Sequence, residues 1–331
     1  MPANRPPSVF WRRCCPCYSR VWITMTDDLR TIPEQYGRLV SLSLPCPEAT
    51  LPAFLHHARG SQRFYWESSR EDVAFAGFGT ALELMAWGAS RFETIQRQAR
   101  ELFSEAVVLD ETEPLAAPRL FGGFAFRDDF VPDNTWSVFT PAHFVLPHYQ
   151  IVQFHGQTWL TINAHLPLDE NPRDLLPELR EALTARAALL QEAAYTPPAS
   201  LHPTEVNYPM PYDTWEHNIS AATERMKAGQ LNKAVLSRVC EIRFEERVDV
   251  DAALAYLADA YAECYRFLFE PRPHHAFYGA TPELLAGVQG DQITTMGLAG
   301  SIKRGKTPDE DAAYAAQLLA DPKERYEHQL V

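Results

Sequence analysis

The stretch Gly229-Gln230-Leu231-Asn232-Lys233-Ala234-Val235-Leu236-Ser237-Arg238 sits where one periodicity gives way to another. Upstream, Asp213-Thr214-Trp215-Glu216 reads as an N-cap followed by an acidic residue at the capping-box position. The helix it opens runs to about Lys227, with Gly229 as its stop. Downstream, Lys233 to Phe244 favours a strand. Lys233, Val235 and Ser237 share one face, and Ala234, Leu236 and Arg238 the other. Further segments follow in order: Phe277-Tyr278-Gly279-Ala280-Thr281-Pro282-Glu283-Leu284-Leu285, then Gly297-Leu298-Ala299-Gly300-Ser301-Ile302-Lys303-Arg304-Gly305, then Lys323-Glu324-Arg325-Tyr326-Glu327-His328.

Outward from this region the chain alternates strands and helices irregularly, without the regular βαβ rhythm of a parallel sheet. Arg63–Glu67 and Val73–Gly79 read as consecutive strands. Phe121–Phe126, Tyr149–Phe154 and Thr158–Ile162 read as further strands, with a turn at His155-Gly156. Glu93–Leu102 and residues 173–193 have helical period. Residues 196–213 carry Pro197, Pro198, Pro203, Pro209 and Pro211 and read as a linker or an extended surface crossing. Later, His275–Ala280 is a strand, and Leu284–Val288 pairs with Gln292–Met296 about Gln289-Gly290-Asp291. Thr307-Pro308 and Asp321-Pro322 each open a helix with proline at its first position.

Composition narrows the class. The 331 residues are 46% hydrophobic and 22% charged, which suits a globular chain with a sizeable core. No apolar run is long enough to span a bilayer, so no membrane partner is expected. The net charge of −13 argues against a nucleic-acid partner and means that an anionic ligand needs a local positive site. The six cysteines, Cys14, Cys15, Cys17, Cys46, Cys240 and Cys264, are spaced too irregularly for a disulfide framework. The cluster at Cys14 to Cys17 lacks a second Cys/His pair at zinc-ligand spacing. Residues 1–24 are basic and lack a continuous apolar core. They read as a disordered leader or a mis-assigned start, with Met25 as the alternative first residue.

Several residues could carry chemistry. A partly buried Lys233 could act as a general base on water; the plainer reading is a surface lysine whose stem packs on the sheet. Glu283 follows the tight bend Gly279-Ala280-Thr281-Pro282. In an apolar pocket it could donate a proton; alone, it fits an exposed strand edge equally well. Leu298-Ala299-Gly300-Ser301 is either an ordinary turn or a small-residue loop whose backbone N–H groups and hydroxyl receive a carboxylate. Lys303, Arg304 and Lys306 add positive charge beside it. Glu324, Glu327 and His328 share one helical face. Two carboxylates there suit a hard cation such as Mg²⁺, unless they simply pair with Lys323 and Arg325 on a solvated face.

Taken together, these segments resemble the chorismate-utilising enzymes, which include the isochorismate, salicylate, anthranilate and aminodeoxychorismate synthases. The resemblance runs from about Trp215 to the C-terminus. A fainter likeness, over Phe64–Trp66 and Phe121–Pro147, is to the menaquinone type of isochorismate synthase. It implies an α+β fold with two large, mostly antiparallel sheets packed together and helices outside. The implied organisation is a leader at 1–24, one half of the fold at 25–195, a linker at 196–213 and a catalytic half at 214–331. Lysine at position 233, where the ammonia-using members typically carry glutamine, implies a water-using member. By the same resemblance Lys233 is the general base and Glu283 the acid that protonates the departing C4 hydroxyl. Ala299, Gly300, Ser301 and Arg304 hold the substrate, and Glu327 with Glu324 binds Mg²⁺. The implied activity is conversion of chorismate to isochorismate by a cytoplasmic monomer. The alternatives are a salicylate synthase and a non-catalytic chorismate-binding fragment. Members of the family continue well past the Glu-His pair, so the chain is expected to be a fragment that ends within the catalytic half.

Overall fold

A computed structural model describes residues 31–110, 113–131, 134–192 and 202–331. The Cys14–Cys17 cluster and the proposed leader lie outside the described residues. Contacts divide the chain into one unit of residues 1–195 with 257–331 and a second of residues 196–256.

In the first unit a short helix α1 (Ile32–Tyr36) precedes strand β1 (Arg38–Pro45) and helix α2 (Leu51–His57). Strands β2 (Arg63–Ser68), β3 (Val73–Phe78) and β4 (Leu82–Ala86) lead to helix α3 (Arg91–Ser104). Then come β5 (Val107–Leu109), β6 (Phe121–Phe124), β7 (Ala142–Leu146), β8 (Tyr149–Phe154), β9 (Gln157–Leu166) and helix α4 (Leu176–Glu192). In the second unit β10 (Pro203–Asn207) precedes helix α5 (Tyr212–Lys227) and β11 (Glu241–Phe244), and helix α6 (Val250–Ala260) crosses the boundary. The first unit resumes with β12 (Tyr265–Arg272), β13 (His275–Thr281), β14 (Gly287–Gln289), β15 (Gln292–Thr294), α7 (Pro308–Ala320) and α8 (Pro322–Leu330).

Eight strands form one sheet in the order β13-β12-β2-β3-β8-β9-β1-β5, antiparallel except where β1 meets β5. The β8–β9 hairpin closes in two residues, His155 and Gly156, both at positive φ. That is the turn whose twist matches the flanking strands. A second sheet, β4-β7-β6, shares a core with β1 and α3: Leu39, Leu84, Ile95, Leu102 and Leu146 are buried together. Each such side chain contributes about 1.5–3 kcal/mol by leaving water. The result is the expected α+β class with antiparallel-rich sheets. The large sheet takes strands from both sides of the proline-rich stretch, because β12 pairs with β2 and sets Phe267 opposite Trp66.

The second unit departs from expectation in two places. Helix α5 starts at Tyr212 with Pro211 before it, so Asp213 lies in the first turn instead of capping it. There its charge still favours the positive end of the helix. At the other end Gly229, at φ +70°, ends the helix as expected. Gly229 N–H donates to Met226 O at 3.0 Å and Gln230 N–H to Arg225 O at 2.9 Å. The expected strand from Lys233 to Phe244 shrinks to Glu241–Phe244, paired with β10, while residues 233–240 are exposed and irregular. A strand needs a partner for its N–H and C=O groups, and β10 reaches only as far as Glu241.

Candidate active site

The small-residue loop leaves β15 and runs to the start of α7. Gly300 holds φ +73°, and a Cβ there would stand 2.4 Å from Glu324 Oε2. The left-handed φ is what favours glycine; a Cβ there would also push the Glu324 carboxylate aside. Glu324 is placed by its helix: Asp321 caps α8 by accepting the N–H groups of Lys323 at 2.8 Å and Glu324 at 3.2 Å. Glu324 and Glu327 are half-buried one turn apart on one face, whereas Ser301 and His328 are exposed. Thus the loop and one proposed metal carboxylate meet. Lys323 Nζ lies 3.5 Å from the other oxygen of Glu324.

Arg304 is engaged at the far end of the loop. Its Nε and Nη2 donate to Asp311 Oδ1 and Oδ2 at 2.7 and 2.5 Å, so the carboxylate offsets much of the charge that the sequence seemed to offer a ligand. Arg304 holds the Asp311 carboxyl below the usual range, at about 2.

Glu283 and Lys233 both take the exposed one of the two readings that the sequence allowed. Glu283 is exposed, with its N–H donating to Thr281 Oγ1 at 3.3 Å. It borders a cavity of about 930 Å³ lined by Trp66, Phe121, Trp136, Phe139, Phe269 and Phe277 among others. A wall so aromatic suits apolar groups more than a dianion. Ala299, Gly300, Ser301, Arg304, Glu324 and Glu327 are not part of that wall. Lys233 is exposed and belongs to the second unit.

One polar cluster escaped sequence reading. Buried His143 on the cavity wall lies 3.8 Å from Glu83 Oε2, and Arg272 Nη1 lies 3.2 Å from Glu83 Oε1. Burial alone would raise the Glu83 pKa, but His143 and Arg272 outweigh it and hold the carboxyl below its ordinary value. The three residues come from distant strands, so no local pattern announces them.

For a metal, Glu324 and Glu327 present hard oxygen donors one turn apart. No group of three or more His, Cys, Asp or Glu side chains suited to a metal occurs among the described residues. Such a set fits Mg²⁺, which takes one or two protein carboxylates and keeps water for its other positions. Among the described residues no helix is long and apolar enough to cross a membrane.

A sequence model of the family described as "Chorismate binding enzyme" matches residues 27–331. The chain belongs to the chorismate-binding enzyme family. It is 30% identical over 268 residues to the salicylate biosynthesis isochorismate synthase of Pseudomonas aeruginosa, covering 81% of this chain and 54% of that one. Against isochorismate synthase MenF of Bacillus subtilis it is 27% identical over 277 residues, covering 81% and 57%. The chain therefore spans little more than half the length of these curated relatives. The solved structure of MenF, the menaquinone-specific isochorismate synthase of Escherichia coli, superposes with a TM-score of 0.66 at 20% identity. That match covers 88% of this chain and 62% of MenF, and it bears on the fold.

Proposed function

We propose that this chain carries the chemistry of a Mg²⁺-dependent isochorismate synthase, of the menaquinone type. The observation that carries the reading is the close approach of the Gly300 loop to Glu324. In this reading the loop's N–H groups would receive a substrate carboxylate beside Glu324, which would help to hold that carboxylate's counter-cation. Family membership and the names of the relatives support the same reading.

The reaction moves a hydroxyl from C4 to C2 of the chorismate ring. Water attacks C2, the ring double bonds shift and the C4 hydroxyl departs, so one water enters and one leaves. Attack requires a base and departure requires an acid. Lys233 takes the proton from the attacking water, and Glu283 gives one to the leaving hydroxyl. The backbone around Ala299 and Gly300, with Ser301, holds the ring carboxylate, while Arg304, paired with Asp311, braces the loop. Glu324 and Glu327 would hold Mg²⁺, which supplies the positive charge that an acidic protein needs beside a dianion.

The test is chromatography with mass detection of chorismate incubated with the chain, with Mg²⁺ or with chelator. Isochorismate should form only with Mg²⁺. Lys233→Ala and Glu283→Gln should each lower the rate by about 100-fold or more. Salicylate with pyruvate would instead assign a salicylate synthase, and no product from the unaltered chain would refute catalysis by these 331 residues.

A further inference from the structure

The loop bearing Gly300 and Ser301 meets the first turns of two successive helices, lying against one and hydrogen-bonded to the other. At the near end Gly300 abuts Glu324 in the first turn of α8. At the far end Asp311, in the first turn of α7, accepts Arg304 Nε at 2.7 Å, Arg304 Nη2 at 2.5 Å and the Gly305 N–H at 2.8 Å. Beside it Glu310 Oε2 accepts the Lys306 N–H at 2.8 Å. The backbone of Gly305 comes so close that a Cβ there would stand 2.1 Å from Asp311 N.

A solvent-exposed ion pair is worth little by itself, and the Arg304 side chain is 88% exposed. Here the same carboxylate is bidentate to the guanidinium and also holds a backbone N–H, so it fixes direction as well as charge. From Gly300 to Gly305 only a few residues lie between the close approach to Glu324 and the bonds to Asp311, so those bonds restrict where Gly300 and Ser301 can sit.

We propose that Asp311 is a positioning residue: through Arg304 and Gly305 it holds the Gly300–Ser301 loop against Glu324, coupling the loop that receives the substrate carboxylate to the carboxylate that binds the metal. This rests on the functional reading above. Asp311 itself touches neither substrate nor metal.

Two measurements on Asp311→Ala and Asp311→Asn test it. Trypsin should cut after Lys303, Arg304 and Lys306 about tenfold faster in Asp311→Ala. The dissociation constant for chorismate with Mg²⁺ should rise by about tenfold, a usual size for losing a residue that orients a ligand-binding group. Asp311→Asn keeps one acceptor oxygen, should fall between the two on both measures, and decides the matter if the alanine chain does not fold. Unchanged cleavage would overturn the latch. Faster cleavage with unchanged chorismate affinity would overturn the positioning role. An unaltered chain that binds no chorismate would refute the functional reading and with it the positioning role, leaving proteolysis to decide separately whether the loop is latched.

Discussion

His148 lies at the turn from β7 into β8, edge-on to the Tyr149 ring at 4.6 Å, with the Arg186 guanidinium 4.8 Å from that ring's centre. Its pKa is pushed down to about 4, chiefly by loss of water around the ring; a hydrogen bond with the Asn163 backbone opposes this, and Arg186 adds to it. An unfolded histidine titrates near 6.5. Between about 6.5 and 4 the unfolded chain therefore binds a proton that the folded chain refuses. The stability linked to this ring is complete above pH 6.5 and is lost as pH falls toward 4, by at most about 3 kcal/mol. Urea unfolding at pH 7 and pH 4.5 should show the loss, and in His148→Gln the difference should shrink. An equal loss in both chains would remove His148 as its source. The same scale shows what sequence can and cannot reveal. The pairing of Gly300 with Glu324 was visible only as two separate motifs, since the clash of a Cβ with a carboxylate requires coordinates. Arg304 was read as charge for a ligand, although the helix start at Thr307-Pro308 already placed an acidic first turn beside it.

Among the elements, β2 and β12 are joined by a deeply buried ion pair. Arg63 Nε lies 2.6 Å from Glu270 Oε2, with the two side chains only 5% and 3% exposed. Arg63 also donates to Leu55 O at 3.1 Å, and the His274 N–H donates to Glu270 Oε1 at 2.8 Å. Removing one partner leaves a buried charge without its counterpart. Arg63→Ala should therefore cost about 3–5 kcal/mol, while Arg63→Met with Glu270→Leu should recover most of the loss. Chemical unfolding of the three chains checks this, and a double variant no better than the single one would count against the explanation. The hairpins β2–β3 and β8–β9 were legible because alternation and turn residues are local signals. The β2–β12 pairing joins residues 207 positions apart, and no periodicity encodes which distant strand a strand will choose. Lys233–Phe244 failed for the related reason that good strand residues form a strand only where a neighbour extends alongside. Its apolar members stay in water, with Val235 83% and Val239 62% exposed.

At the scale of the whole molecule, the aromatic cavity of the first unit opens an apolar wall, with cations at its edge, to a ligand of matching chemistry. Phe139 and Phe277 meet edge to face with ring centres 6.4 Å apart, and Trp136 lies 5.9 Å from Phe277. Arg119, which also lines the cavity, is stacked 3.8 Å from the centre of the Phe75 ring. An anionic aromatic dye such as anilinonaphthalene sulfonate finds there both ring faces and a cation. The folded chain should therefore enhance the dye's fluorescence at neutral pH, in a sample whose far-UV signal still melts cooperatively in urea. Leu285 lines the same cavity and is 91% exposed, so Leu285→Glu should weaken dye binding while moving stability by no more than about 0.5 kcal/mol. Enhancement with a gradual, non-cooperative melt would instead report a loosely packed chain. No enhancement at all would mean that the cavity is closed in solution, and that the aromatic wall meets its own side chains and not water.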